Sequence, residues 1–227
     1  MSESEASSLG RRRLASQLAE AVAAALRDDL RERERVLLVV SGGSTPVPFF
    51  QALATQALSW ERVQVTLADE RWVAPQAEDS NERLVREHLL TGLAASATFV
   101  PLITDDATPE QGAEAVNARL AGLAWPASAV VLGMGDDGHT ASLFPDSREL
   151  GLALSSDERV VAVRTPSQPR PRITLSAARL HQARRHFLHL NGENKREVLS
   201  RALAGDDVRE LPIRVFLACP LAVYWAP

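Results

Sequence analysis

Eight short apolar runs, set apart by longer mixed stretches, constrain this chain of 227 residues more than any other feature. They lie at residues 36–40, 63–67, 98–102, 129–132, 160–163, 173–175, 187–190 and 213–217. Runs this short, bounded by polar or glycine-containing segments, read as strands. Between the first four lie helix-like stretches at 46–58, 81–90 and 109–123, the rhythm of parallel strands joined by crossover helices. The pattern predicts an α/β fold, a three-layer αβα domain with a mainly parallel, Rossmann-like open sheet. One core suffices for a chain of this length, so a single domain over 1–227 is expected. The later runs lie closer together, and Pro166, Pro169 and Pro171 mark a rigid irregular connection among them. An antiparallel edge or a small subdomain is expected there.

The net charge of −4 creates no overall field for nucleic acid or an anionic membrane, so an anionic ligand needs a local cluster of cations. Cys219 is the sole cysteine, which excludes an internal disulfide and a thiolate cluster and suits a reducing compartment. Arg11-Arg12-Arg13 followed by LASQLAEAVAAAL resembles the basic start of an export signal. Leu14, Leu18, Val22, Leu26 and Leu30 nevertheless recur every fourth residue, the mark of an amphipathic helix. No apolar run approaches the roughly 18 residues a membrane crossing needs. A cytoplasmic protein with neither nucleic-acid nor membrane partners is expected.

In an open parallel sheet, ligands bind beyond the carboxyl ends of the strands, so the loops there are where chemistry is sought. The first run leads into Ser41-Gly42-Gly43-Ser44-Thr45-Pro46. Its glycines let backbone approach a ligand, Ser44 or Thr45 can cap the next helix, and Pro46 suits the first helical turn. Such a loop is either a phosphate cradle or a well-capped turn. No Gly-Lys pair occurs in the chain, so it is not a nucleotide-binding Walker loop. The second run ends in Asp69-Glu70-Arg71-Trp72, followed by Asp79-Ser80-Asn81. These charges are either a solvated turn or a binding edge, in which the Arg71 fork meets phosphate oxygens and Trp72 walls a compact polar ligand.

The fourth run gives GMGDDGHTASLFP, residues 133–145, whose first six residues match the dinucleotide pattern G-x-G-x-x-G. That pattern requires a long helix from its last glycine, and Pro145 comes too soon for one. Asp136 and Asp137 would also set carboxylates against a pyrophosphate. What remains is a glycine-loosened turn carrying His139, an imidazole suited to accepting a proton near neutral pH. Asp137 either orients that ring or serves the turn itself. His186 and His189, three apart in one strand, should face opposite ways and make a poor metal pair, so no catalytic metal is expected. Lys195 falls in the first turn of a helix, where a cation opposes the helix dipole unless an anion is near.

Taken in order, SGGSTP, ADERWV with DSN, GMGDDGHTASLFP, PRITLS and NGENK resemble the motif series of the glucosamine-6-phosphate isomerase/6-phosphogluconolactonase family, on its lactonase side. The deaminases of that family typically have Asp-Glu-Tyr where this chain has Asp69-Glu70-Arg71-Trp72, and Ile-Ala-Phe-Asn-Glu-Pro after the histidine where it has Thr140 to Pro145. The resemblance implies hydrolysis of 6-phospho-D-glucono-1,5-lactone, the second step of the oxidative pentose phosphate pathway, with a sugar-phosphate lactone as the only partner. It implies no cofactor, leaves the oligomeric state open and is compatible with a monomer. By position, His139 resembles the general base, with Asp137 beside it. Arg71 and Lys195 resemble the phosphate cations, Ser41, Gly42, Gly43, Ser44 and Thr45 the phosphate-proximal loop, and Asp69 a family aspartate. Glucosamine-6-phosphate deamination and a non-catalytic sugar-phosphate sensor are the alternatives. The segment after Asp207, including CPLAVYWAP, follows the family pattern only loosely.

Overall fold

The structure, a computed structural model, describes residues 3–227. Its elements in chain order are α1 (Glu3–Leu30), β1 (Val36–Val40), α2 (Val47–Ala54), β2 (Val63–Leu67), β3 (Asp69–Arg71), α3 (Asn81–His88), β4 (Thr98–Phe99), α4 (Pro109–Ala121), β5 (Ala129–Leu132), α5 (Leu150–Ser155), β6 (Val160–Thr165), β7 (Gln168–Leu175), α6 (Ala177–His181), β8 (His186–Asn191), α7 (Glu193–Leu203), α8 (Arg214–Leu217) and β9 (Leu221–Ala226).

The expected three-layer arrangement is present. A six-stranded sheet of order β4-β2-β1-β5-β8-β9 is parallel throughout. Every residue of β1, β2 and β5 is buried, as strands covered by helices on both faces must be. α1 contributes the buried stripe Leu18, Val22 and Leu26, with Ala15, Ala19 and Ala23 allowing close approach. The chain builds outward from β1 through β2 to β4, then returns to the other side of β1 with β5. The loops leaving β1 and β5 therefore diverge and open a crevice at their carboxyl ends.

The expected small subdomain is an antiparallel sheet of order β3-β7-β6. Of its prolines only Pro166 lies in the connection, a tight two-residue turn between β6 and β7 rather than an irregular one. Pro169 and Pro171 lie within β7, on the part that extends past its pairing with β3, and the partner strand shifts register between Val163 and Thr165. There a missing ladder N–H is tolerated. Asn117 on α4 fixes this sheet to the main body, its Oδ1 accepting from the backbone N–H groups of Arg159 and Val160, both at 3.0 Å.

Two expectations at strand level fail. Residues 98–102 form only the two-residue β4, because Pro101 cannot donate to a ladder. Residues 213–217 are not a strand: α8 begins at Arg214, whose buried guanidinium donates to the carbonyls of Arg201, Ala202 and Asp207 and bridges to Glu210. Those bonds close the carboxyl end of α7, and the edge of the large sheet falls to β9, built from the tail LAVYWA. Among the described residues, no helix is long and apolar enough to cross a membrane.

Asn117→Ala leaves the Arg159 and Val160 N–H groups without their acceptor. The expected loss is about 1–3 kcal/mol of unfolding free energy, measured as a lower urea midpoint at unchanged slope.

Candidate active site

A cavity of about 360 Å³ opens where the loops after β1 and β5 diverge, and it receives side chains from β3, β7, β8 and α7 as well. Ser41, Gly42, Gly43, Ser44 and Thr45 all line it. Gly42 is required by space: a Cβ there would stand 1.9 Å from Asn81 Oδ1. Gly43 has φ +91°, a backbone conformation that favours glycine. The expected cap is absent. α2 starts after Pro46 with no side-chain cap, so the Ser44 and Thr45 hydroxyls stay with the cavity instead of closing the helix.

The charged triplet is not a solvated turn but the buried strand β3. Glu70, fully buried, accepts hydrogen bonds from the backbone N–H groups of Arg71 (2.8 Å), Asn81 (2.9 Å) and Glu82 (2.7 Å) and from Ser80 Oγ (3.1 Å). It thereby ties β3 to the amino end of α3. Burial pushes its carboxyl up to about 7, against the lowering effect of the three N–H groups, and nearby Asp69 adds to the rise. Asn81 then holds its neighbours, accepting from Arg71 Nη1 at 3.0 Å and donating to the Asp69 carbonyl at 3.0 Å. Arg71 Nη1 also donates to the Asp79 carbonyl at 2.7 Å, while its buried Nε has no partner in the chain. Asp69 accepts from Ser142 Oγ at 2.5 Å and pairs with Arg172 Nη1 at 3.5 Å, so its carboxylate is already engaged. Trp72 does not wall the cavity. Successive strand side chains alternate in direction, and its indole packs on Gly112 and donates to the Asp106 carbonyl.

The turn at 133–145 is built around one ring. His139 Nδ1 lies 2.5 Å from Asp137 Oδ1, which also accepts from the His139 backbone N–H at 3.1 Å. Burial raises the Asp137 carboxyl, but the His139 hydrogen bond and charge outweigh it and hold the group below its ordinary range. Phe144 packs tilted against the ring with centroids 4.2 Å apart, and the Arg172 guanidinium lies over Phe144, 5.1 Å from its centroid. The glycines make this possible. A Cβ on Gly135 would stand 2.1 Å from His139 Nδ1, and Gly138 has φ +74° with Leu211 directly against it. Ala141 holds φ 49°, in the left-handed region where a side chain is strained.

Lys195 Nζ reaches Asp136 Oδ1 at 2.8 Å, and Asn194 donates to the same oxygen at 2.7 Å. Asp136 thus offsets the cation that the helix dipole disfavours at this position. The structure therefore brings Ser41 to Thr45, Asp69, Arg71, His139 and Lys195 to one cavity, with Asp137 behind the histidine. Sequence reasoning overlooked Arg172 and Asn191 and weighed His189 only as a metal ligand, yet all three line it as well. Outside the cavity, His186 meets His181 and Cys219 rather than His189, with one potential ligand atom of each within 4.8 Å of the others.

The family model described as glucosamine-6-phosphate isomerases/6-phosphogluconolactonase matches residues 10–225. The chain belongs to that family. It is 47% identical over 212 residues to a 6-phosphogluconolactonase of Pseudomonas aeruginosa, covering 92% of this chain and 89% of that one. A 6-phosphogluconolactonase of Rhizobium meliloti is 44% identical, with 94% of each chain covered. The crystal structure of a 6-phosphogluconolactonase from Shewanella baltica superposes with a TM-score of 0.94 at 45% identity, covering 95% of this chain and 94% of that one.

Glu70→Gln tests how far the buried carboxyl holds this edge of the cavity. A protonated Glu70 can turn its O–H to Ser80 and still accept from Glu82, whereas an amide NH₂ cannot, so one N–H is stranded at a cost of about 1–3 kcal/mol. Because the folded-state pKa is raised, wild-type stability from this group is full below about 4.5 and falls as pH rises to about 7. Denaturation across that window should show the slope in wild type and its loss in Glu70→Gln.

Proposed function

We propose that this chain hydrolyses 6-phospho-D-glucono-1,5-lactone to 6-phosphogluconate, the activity for which its 6-phosphogluconolactonase relatives are named. The observation that carries the reading is the pairing, within one cavity, of a carboxylate-backed histidine with two cations from separate elements. Arg71 and Lys195 hold the substrate phosphate, Lys195 exchanging Asp136 for it, with the loop from Ser41 to Thr45 alongside. Anchored there, the ligand presents its C1 carbonyl to His139.

The chemistry is modest. With Nδ1 held by Asp137, Nε2 is the ring nitrogen facing the reaction, and it removes a proton from water as the oxygen attacks C1. Asp137, kept ionised, stabilises the imidazolium that forms. As the tetrahedral intermediate collapses, the C1–ring-oxygen bond breaks and the imidazolium returns the proton to that oxygen. The products are a carboxylic acid and a hydroxyl, with no cofactor or metal in the scheme. The single cysteine suits a reducing, cytoplasmic setting, and a single domain suffices for every residue invoked.

His139→Ala should lower kcat by about 10²–10⁴-fold with little change in KM, once spontaneous lactone hydrolysis is subtracted. Arg71→Ala and Lys195→Ala should act mainly on KM. A kcat unchanged in His139→Ala removes the general-base role, and ammonia release from glucosamine 6-phosphate in place of lactone hydrolysis removes the assignment. Gly135→Ala should resemble His139→Ala in kcat while its thermal midpoint stays near wild type, since the added methyl meets the ends of two side chains, the His139 ring and the Asp137 carboxylate.

A further inference from the structure

One wall of the cavity carries polar atoms, in His189, Asn191 and the Ser41 side chain at the start of the phosphate-proximal loop, to which the scheme above gives no hydrogen bond. His189 on β8 is 4% exposed and lines the cavity, yet neither Nδ1 nor Nε2 has a hydrogen-bond partner. Its ring packs edge-on to Phe49 at 6.2 Å, which satisfies neither nitrogen. Ser41 Oγ and Asn191 Oδ1, also on the lining, are buried and unpartnered in the same way. Buried polar groups are nearly always paired because leaving them bare is costly, so three along one cavity mark a surface whose partners arrive with the ligand.

The character of these groups selects the part of the ligand they meet. Burial lowers the His189 pKa to about 4, so the ring is neutral at physiological pH and offers one donor and one acceptor. The serine hydroxyl can do either, and the asparagine oxygen accepts. Phosphate oxygens accept only, and Arg71 and Lys195 answer their charge. A hydroxyl group is neutral and both gives and receives, which is what an uncharged imidazole beside a hydroxyl and an amide oxygen complements. We propose that His189, with Ser41 and Asn191, forms a hydroxyl-recognition subsite that binds the polyol portion of the substrate. The inference rests on the sugar-phosphate lactone reading above.

Calorimetric titration of wild type and His189→Phe with 6-phosphogluconate and, separately, with inorganic phosphate tests it. The variant should bind 6-phosphogluconate about 10- to 100-fold more weakly and inorganic phosphate within about twofold of wild type, with the loss in lactone turnover appearing in KM. His189→Asn, which retains a donor and an acceptor, should recover part of the affinity. In wild type labelled with ¹⁵N-histidine, the His189 ring resonances should move on adding 6-phosphogluconate and stay in place on adding phosphate. Equal loss for both ligands, or His189 resonances indifferent to 6-phosphogluconate, overturns the subsite, and the labelled wild type decides the matter if His189→Phe fails to fold. A wild type that neither binds 6-phosphogluconate nor hydrolyses the lactone instead removes the functional reading on which the subsite stands.

Discussion

Glu70 has no exposed surface and four donors converging on its two oxygens. Three of them belong to Ser80, Asn81 and Glu82 at the start of α3, and the fourth to the next residue of its own strand. The carboxyl therefore fixes where α3 begins relative to β3. Asn81 inherits that placement, and through it so do the Arg71 guanidinium, the Asp69 backbone and the close approach that only Gly42 permits. Three of the motifs that converge on the cavity are in this way held by one desolvated acid. Burying it is expensive, and the expense is met locally by N–H groups that a helix start would otherwise leave unpaired.

The opposite wall is organised by the removal of side chains. Gly135 leaves the volume that the His139 ring occupies, and Gly138 takes a left-handed turn against Leu211. With Ala141 strained just after the histidine, the segment reverses direction twice within a few residues and still returns Ser142 to Asp69. That last contact, together with Arg172 lying between Asp69 and the Phe144 face, joins the histidine turn to β3. The G-x-G-x-x-G spacing thus serves the packing of an imidazole and has no bearing on a dinucleotide.

Much of this was legible in the sequence because the signals were local. Continuous apolar runs marked β1 and β5 to the residue, since strands buried on both faces need no alternation, and the alternating Val63, Val65 and Leu67 marked β2. Glycine, histidine and proline in one short segment announced a tight turn. What stayed hidden depended on distant partners. Residues 213–217 look like a strand, and only the carbonyls left open at the end of α7 explain why Arg214 begins a helix there. Ser44 and Thr45 read as caps because their spacing to Pro46 is right, yet α2 starts too late to use them. Trp72 beside Arg71 invited a shared role that strand alternation forbids. His189 resembled an ordinary strand residue, and nothing short of the closed sheet reveals that both of its nitrogens lack partners.

The distribution of charge over the cavity follows from desolvation. Each formal charge at the site is either answered within the chain or placed where a ligand answers it: Asp137 by His139, Asp136 by Lys195, and Asp69 by Arg172 with Ser142. Binding a phosphate at Lys195 would displace Asp136, which is largely exposed and can be rehydrated at little cost. Displacing Asp69 would strand a buried carboxylate and is strongly disfavoured, and displacing the half-exposed Asp137 would release the histidine ring that it holds. The exchangeable partner is therefore the exposed one, and the fixed partners are those that hold Arg172 and the histidine. A cavity arranged in this way can admit and release an anion repeatedly while the imidazole between Asp137 and Phe144 keeps its orientation.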